Sequence, residues 1–313
     1  MAKIFELIRK FFFSIPGKGF SSCILLLSSF FSIFSAVPAI STYVGESRTK
    51  GLYVLLIGAG LTFIIGGIPT GIVYVTIIFF STVVLGELIR SKAGFGKVIV
   101  VSSLVIIGTY IAAFVVYSSI YSLNVMDLLV SKIKVGVDFM NINYPDIVKQ
   151  TLMETGMSDK ELVTSIAVKA PATIAVVIII FVFINVLIAA RLNEKLSSFM
   201  KFDNLMKTKI SEHFVWPALV FGGLYLYTTT QYNTSVTLET VGLLLFKGVM
   251  MFYFLHGLMI TYLITSLKIP QGFFRALLFS LIVVFAYLFV TALGFFDTWF
   301  DYRKYFNKKG EEQ

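Results

Sequence analysis

The sequence predicts an all-α protein, a polytopic transmembrane helical bundle of about eight spans with a small extramembrane helical insert. Three observations carry this expectation. Apolar residues make up 57% of the 313-residue chain and charged residues only 14%, where a soluble domain carries about 25% charge. Several apolar runs reach the roughly 20 residues needed to cross a hydrocarbon core. Those runs are continuous and do not alternate in period two, which argues against a transmembrane barrel.

The first expected span covers residues 20–40 and is closed by Pro38 and the polar turn GESRTKG. It follows a basic, amphipathic stretch, MAKIFELIRKFFFSIPGKG, with no small-residue cleavage site, so an uncleaved first helix is expected. Residues 51–88 are too long for one ordinary crossing. GGIPTG at 66–71 divides them into two short spans, because Pro69 removes a donor and the glycines loosen the helix. The alternative is one broken helix whose unwound centre lies inside the bundle, since irregular backbone is not tolerated against lipid.

A basic loop, RSKAGFGK at 90–97, leads into a span over 98–121. Residues 122–170 then turn polar. Met126, Leu129, Val130 and Ile133 recur there at helical spacing, so amphipathic helices forming an extramembrane cap are expected. Pro171 suits the start of the next span, to about residue 190. Further spans are expected at 214–230, 238–266 and 272–295, all within one transmembrane domain covering residues 1–313.

Excess Lys and Arg in residues 90–97, 191–213 and 267–275 places those segments in the cytoplasm, with 122–170 and QYNTSVTLE outside. Eight strict crossings would put both basic termini outside, and one re-entrant or unsplit segment removes the conflict. The same rule accounts for the net charge of +9, so the expected partner is the lipid bilayer and not nucleic acid. Cys23 is the single cysteine, which leaves no intrachain disulfide.

Ionisable groups inside a membrane are functional candidates by default, because charge is expensive there. Lys247 and His256 lie nine positions apart in LLLFKGVMMFYFLHGLMITYL, on opposite sides of one helix at 100° per residue. Lys247 is long enough either to snorkel to the interface or to reach a buried polar site. His256 is deeper, and reads as a neutral imidazole bonded to a neighbouring helix or as a ligand contact. Asn185 in VFINVLIAA is the other deep polar side chain, suited to interhelical hydrogen bonding. Glu87 sits three residues before Arg90, a spacing for a local ion pair worth only a few tenths of a kcal/mol.

The tail LGFFDTWFDYRKYFNKK offers a collar at the water boundary or a docking surface for another subunit. Continued as helix, it places Asp297, Asp301 and Lys304 on one face and Phe295, Trp299 and Arg303 on another. The aromatics suit the headgroup level, with Arg303 over Trp299 as a cation–π pair. HExxH, GxSxG and P-loop signatures are missing from the chain. With two histidines, a histidine-rich metal centre is excluded, and VGVDF at 135–139 lacks the middle glycine of GxGD. No enzyme activity, cofactor or metal is expected.

An apolar helix ending LGFFDTWFDYRK, after a helix carrying FLHGLMITYL, resembles the C-terminal pattern of the YybS-like family of bacterial membrane proteins. That family is similar to the S components of energy-coupling-factor transporters, compact helical bundles that bind a small metabolite and dock on a separate transmembrane subunit. The resemblance implies a multi-pass protein of the bacterial cytoplasmic membrane that binds or transports a small molecule beneath the 122–170 insert. The alternative is a non-transporting scaffold that assembles or regulates another membrane complex.

Overall fold

The computed structural model describes residues 10–28, 31–120, 122, 124–192, 210–230, 235–270 and 272–302, and among them every regular element is helical. In chain order the helices are α1 (Ile15–Leu27), α2 (Val37–Gly45), α3 (Arg48–Val73), α4 (Phe80–Arg90), α5 (Phe95–Ile120) and α6 (Val125–Asn143). They continue as α7 (Pro145–Thr155), α8 (Asp159–Leu192), α9 (Val215–Thr230), α10 (Val236–Lys268), α11 (Phe273–Phe285) and α12 (Tyr287–Phe300). The chain divides into two compact units, Met1–Tyr110 with Val177–Ile210, and Ile111–Val176 with Ser211–Gln313.

In the first unit, Ser14 caps α1 by accepting from the Gly17 amide at 3.2 Å, and Pro16 sits in the first turn, where no backbone donor is needed. α1 has 13 residues and α2 nine. At 1.5 Å per residue they are about 20 and 14 Å long, short of a hydrocarbon core of roughly 30 Å. Lys18 near the start of α1 meets Glu46 just past the end of α2, Nζ to Oε1 at 2.5 Å. The segment therefore returns to the level at which it began. The single crossing expected over 20–40 is instead a re-entrant pair. Serines cause the break: Ser28 takes an extended conformation that ends α1, and Ser35 Oγ donates to the Ser32 carbonyl in the turn that follows.

α3 and α4 are joined by a π-helical turn, Tyr74–Phe79, and the helix axis breaks at Gly67 (φ 75°, ψ 176°). That left-handed φ is open to glycine and strained for other residues. The legs fold back on each other there. A Cβ on Gly71 would lie 2.2 Å from the Phe63 ring, and one on Gly58 would lie 2.1 Å from Tyr74 Oη. At the far end the Tyr43 ring of α2 fills a slot between Gly51 of α3 and Gly86 of α4. Tyr43 Oη also donates to Glu87 Oε1 at 2.7 Å. Glu87 pairs with Arg48, while Arg90, its expected local partner, donates to the Tyr43 carbonyl at 3.2 Å.

In the second unit, α6 and α7 form the polar insert, with Asn124 capping α6 through its side chain and Gly156 (φ 66°) ending α7. α8 begins at Asp159 and not at Pro171, which lies inside the helix. A reciprocal cap explains the earlier start: the Ser158 amide donates to Glu161 Oε2 at 2.8 Å, and the Glu161 amide donates to Ser158 Oγ at 3.4 Å. α9 packs on α10 through the stacked rings of Tyr225 and Phe246, 5.3 Å apart.

Among the described residues four helical stretches are long and apolar enough to cross a bilayer: Arg48–Arg90, Phe95–Ile120, Asp159–Arg191 and Val236–Ser266. A fifth arises if α11 and α12, bent by 90° at Ala286, are taken together. The count falls short of eight for physical reasons. α1, α2 and the 16-residue α9 are too short to qualify, and Arg48–Arg90 counts once although it is folded in two.

Candidate functional site

The site is built by two glycines. α10 and α12 cross so closely that a Cβ on Gly257 would lie 1.8 Å from the Val290 carbonyl oxygen, and one on Gly294 would lie 2.0 Å from that of Tyr253. Small residues permit such backbone approach, and helix packing inside a membrane depends on it. His256 directly precedes Gly257, and Asp297 follows Gly294 by three residues. The crossing thus brings the two side chains face to face.

His256 Nε2 lies 2.9 Å from Asp297 Oδ2, with 3% and 0% of the two side chains exposed. The other carboxylate oxygen, Oδ1, accepts from the Tyr302 amide at 2.8 Å. That bond exists because α12 stops at Phe300: Asp301 adopts a left-handed conformation (φ 44°), which turns the chain back over Asp297. Aromatic rings wall the region, with Tyr253 edge-on to Phe295 at 5.1 Å and Phe295 edge-on to Trp299 at 4.9 Å. Phe214 closes on Tyr253 at 5.9 Å. The Tyr253 hydroxyl, one helical turn before His256, is buried and has no hydrogen-bond partner among the described residues.

In such a setting the pair behaves as a unit. An ionised Asp297 is an acceptor only, so an imidazole facing it donates from Nε2; a protonated Asp297 donates to that nitrogen instead. One proton lies between the two atoms in either case. A buried charge left without a counterpart is costly, which couples the protonation of one partner to that of the other.

The other sequence candidates lie elsewhere. Lys247 is exposed on α10, on the side of the helix away from His256, consistent with a snorkelling side chain. Asn185 belongs to the first unit, where its Nδ2 donates to the Ile33 carbonyl at 2.6 Å and to the Phe181 carbonyl at 2.8 Å. Trp299 is half exposed. The collar geometry required helix beyond residue 300, and α12 ends at Phe300; Asp297 is inside the protein, and Asp301 is the helix terminator. Arg303 and Lys304 lie outside the described residues. Sequence reasoning found His256 and Asp297 separately and assigned them to different roles. The signal that joins them is the glycine beside each, one residue after the histidine and one turn before the aspartate.

The chain belongs to the DUF2232 family, described as predicted membrane proteins, whose family model matches residues 20–298. The match runs from within α1 to Thr298 of α12 and so contains both His256 and Asp297. No curated protein and no solved structure matches the chain.

Proposed function

We propose that this protein is a multi-pass subunit of the bacterial cytoplasmic membrane that binds or moves a small solute, with the His256–Asp297 pair as its proton-carrying element. The observation that carries the reading is the ionisable pair itself, 2.9 Å apart, buried, and held by a glycine crossing between apolar helices. Two neutral side chains would tie these helices together at less cost, because removing charge from water is expensive and a neutral hydrogen bond is not. An acid and an imidazole sharing one proton add something a neutral tie lacks: gain or loss of that proton changes the local charge. Solute binding near the pair then couples to protonation. The chemistry is non-enzymatic, and the likeness to S-component transport subunits belongs to this reading.

The test is mass spectrometry of small molecules retained by the full chain purified in lipid nanodiscs, comparing wild type with Asp297→Asn and His256→Gln. A solute retained by wild type and reduced at least tenfold in both variants is expected. A wild-type protein that carries no solute and instead co-purifies with one fixed membrane partner would establish the scaffold reading in its place.

A further inference from the structure

Lys50 is the last charged residue of α3 before the uncharged run 51–86, so it stands where the helix enters hydrocarbon. Lys50, Tyr53, Ile57, Gly60 and Ile64 follow one another at spacings of three and four residues, which sets them on one face of the helix. That face is turned outward: Lys50, Tyr53, Gly60 and Ile64 are exposed, and Ile57 is partly so. α1 runs beside it. A Cβ on Gly19 of α1 would lie 2.8 Å from Ile57 Cγ2, and one on Gly66 of α3 would lie 2.9 Å from Leu27 Cδ2.

The head of this face is basic. Lys50 Nζ lies 3.0 Å from Glu46 Oε2, and Lys18 Nζ of α1 lies 2.5 Å from Glu46 Oε1. Two ammonium groups thus converge on the two oxygens of one carboxylate, which leaves one positive charge in excess. Among the described residues no second carboxylate is bonded to either lysine. Each ammonium has three protons and spends one on Glu46, so both keep donors for a further anion. Tyr53, one turn deeper than Lys50, carries its ring at the level where tyrosine meets lipid headgroups.

Below that head the face is apolar and notched. A Cβ on Gly60 would meet nothing within 4 Å, and Ile57 and Ile64 stand before and after the gap. Gly60 is ten residues past Lys50. At 1.5 Å per residue it lies about 15 Å deeper, half of a hydrocarbon core of roughly 30 Å. One leaflet's acyl chain reaches that depth.

We propose that this face binds a phospholipid with a net negative headgroup, its phosphate held by Lys18 and Lys50 and one acyl chain lying along Tyr53, Ile57, Gly60 and Ile64. The excess positive charge selects an anionic headgroup over a zwitterionic one, which brings a cation of its own. The apolar length beneath selects a lipid over a free phosphate, which has nothing to bury there.

The test is thermal unfolding of the purified full chain in detergent with added phosphatidylglycerol, phosphatidylcholine or sodium glycerol phosphate at matched ionic strength. A saturable rise in Tm is expected with phosphatidylglycerol, half-complete at a concentration about fivefold below that needed for phosphatidylcholine, as one net charge at the headgroup contributes. Glycerol phosphate should have no such effect. Lys18→Gln with Lys50→Gln should remove the preference between the lipids, and Lys18→Arg with Lys50→Arg should keep it. Gly60→Leu fills the notch at an exposed position and leaves both lysines in place. It should weaken phosphatidylglycerol binding several-fold, and it decides the matter if the glutamine variant fails to fold. Equal responses to the two lipids, a preference that survives the glutamine substitutions, or a Gly60→Leu protein that binds phosphatidylglycerol as wild type does overturns the proposal. So does a glycerol phosphate response equal to that of the lipid, which would identify a free-anion site.

Discussion

Arg48 and Glu87 are separated by 39 residues of nearly continuous helix, and their side chains form an ion pair. A straight α-helix of that length would hold them about 58 Å apart at 1.5 Å per residue. The chain must therefore double back, and Gly67 is where it does. The same end of the unit gathers Lys18, Glu46 and Lys50, with Glu46 bonded to both lysines.

The first prediction concerns that hairpin. In a Cys23→Ser background, single cysteines at Ser47 and Lys92 should be labelled by an impermeant maleimide from the same side of the membrane. A cysteine at Gly66 should be labelled from the other side or not at all. Labelling of positions 47 and 92 from opposite sides would show that Arg48–Arg90 does not fold back.

Asp297→Ala leaves an imidazole buried without its acceptor, and loss of one partner of a buried pair costs about 3–5 kcal/mol. The double variant His256→Gln, Asp297→Asn replaces the pair with neutral amides and should recover at least half of that loss in reversible unfolding in detergent. Additive losses in the double variant would mean that the two side chains are not coupled. The chain has only two histidines, His213 and His256, so ¹⁵N-histidine spectra assign the buried imidazole directly; Asp297→Asn should move one signal and leave the other.

Gly257→Ala should be more damaging than its small size suggests. The added methyl would lie 1.8 Å from the Val290 carbonyl oxygen, so α10 and α12 must separate, at a cost of about 1–3 kcal/mol or more. Gly108→Ala on α5, where the methyl meets nothing within 4 Å, should be neutral or stabilising by up to about 1 kcal/mol, since alanine favours helix. Equal effects at the two positions would mean that the helix crossing is loose.

Glu46 supplies a pH dependence. Hydrogen bonds from the Lys18 and Lys50 ammonium groups hold its carboxyl below the ordinary carboxylate range. A folded-state value below the unfolded one stabilises the protein above the unfolded value of about 4.3 and is lost as pH falls through the lower folded value. Glu46→Gln should flatten the acid limb of the Tm–pH profile by lowering Tm near pH 7 by as much as the wild type loses through Glu46 on acidification, a small amount because the pair is partly exposed and screened. An unaltered acid limb would show that this network does not contribute to stability.

Lys247→Met tests the exposed position on α10. With the charge outside the protein interior, replacement by a similar apolar stem should leave stability within about 0.5 kcal/mol or raise it, and should not reduce solute retention. A tenfold loss of retained solute would place Lys247 in the site after all.

Much of the helical architecture was legible in the residues. GGIPTG announced a break because a glycine two positions before a proline can take a φ other residues avoid, and the break is at Gly67. The polar segment 122–170 carried helical spacing and contains α6 and α7. Two local features were misread for identifiable reasons. Pro171 looked like a helix start, but Ser158 and Glu161, three residues apart, are the stronger signal and start α8 twelve residues earlier. The 20–40 run looked like one span because phenylalanines and isoleucine keep its hydropathy high across the serines that bend it. The His256–Asp297 pair could not be read from spacing, since the partners are 41 residues apart and meet only because of how two helices cross.

The doubled-back α3–α4 hairpin and the re-entrant α1–α2 pair together simplify insertion of the chain into its membrane. Residues 51–86 contain no charged side chain, so the tip that must travel to the far side carries only GGIPTG. Lys18, Glu46, Arg48, Lys50, Glu87 and Arg90 are gathered by their bonds at the opposite end of the unit. Residues 48–90 can therefore enter as a helical hairpin with no ion dragged through hydrocarbon, a step that would cost about 2.5–3.5 kcal/mol for each Lys, Arg or Asp at the centre of a helix. Insertion of this segment thus asks for the formation of a turn, and Gly67 is the residue on which that turn rests.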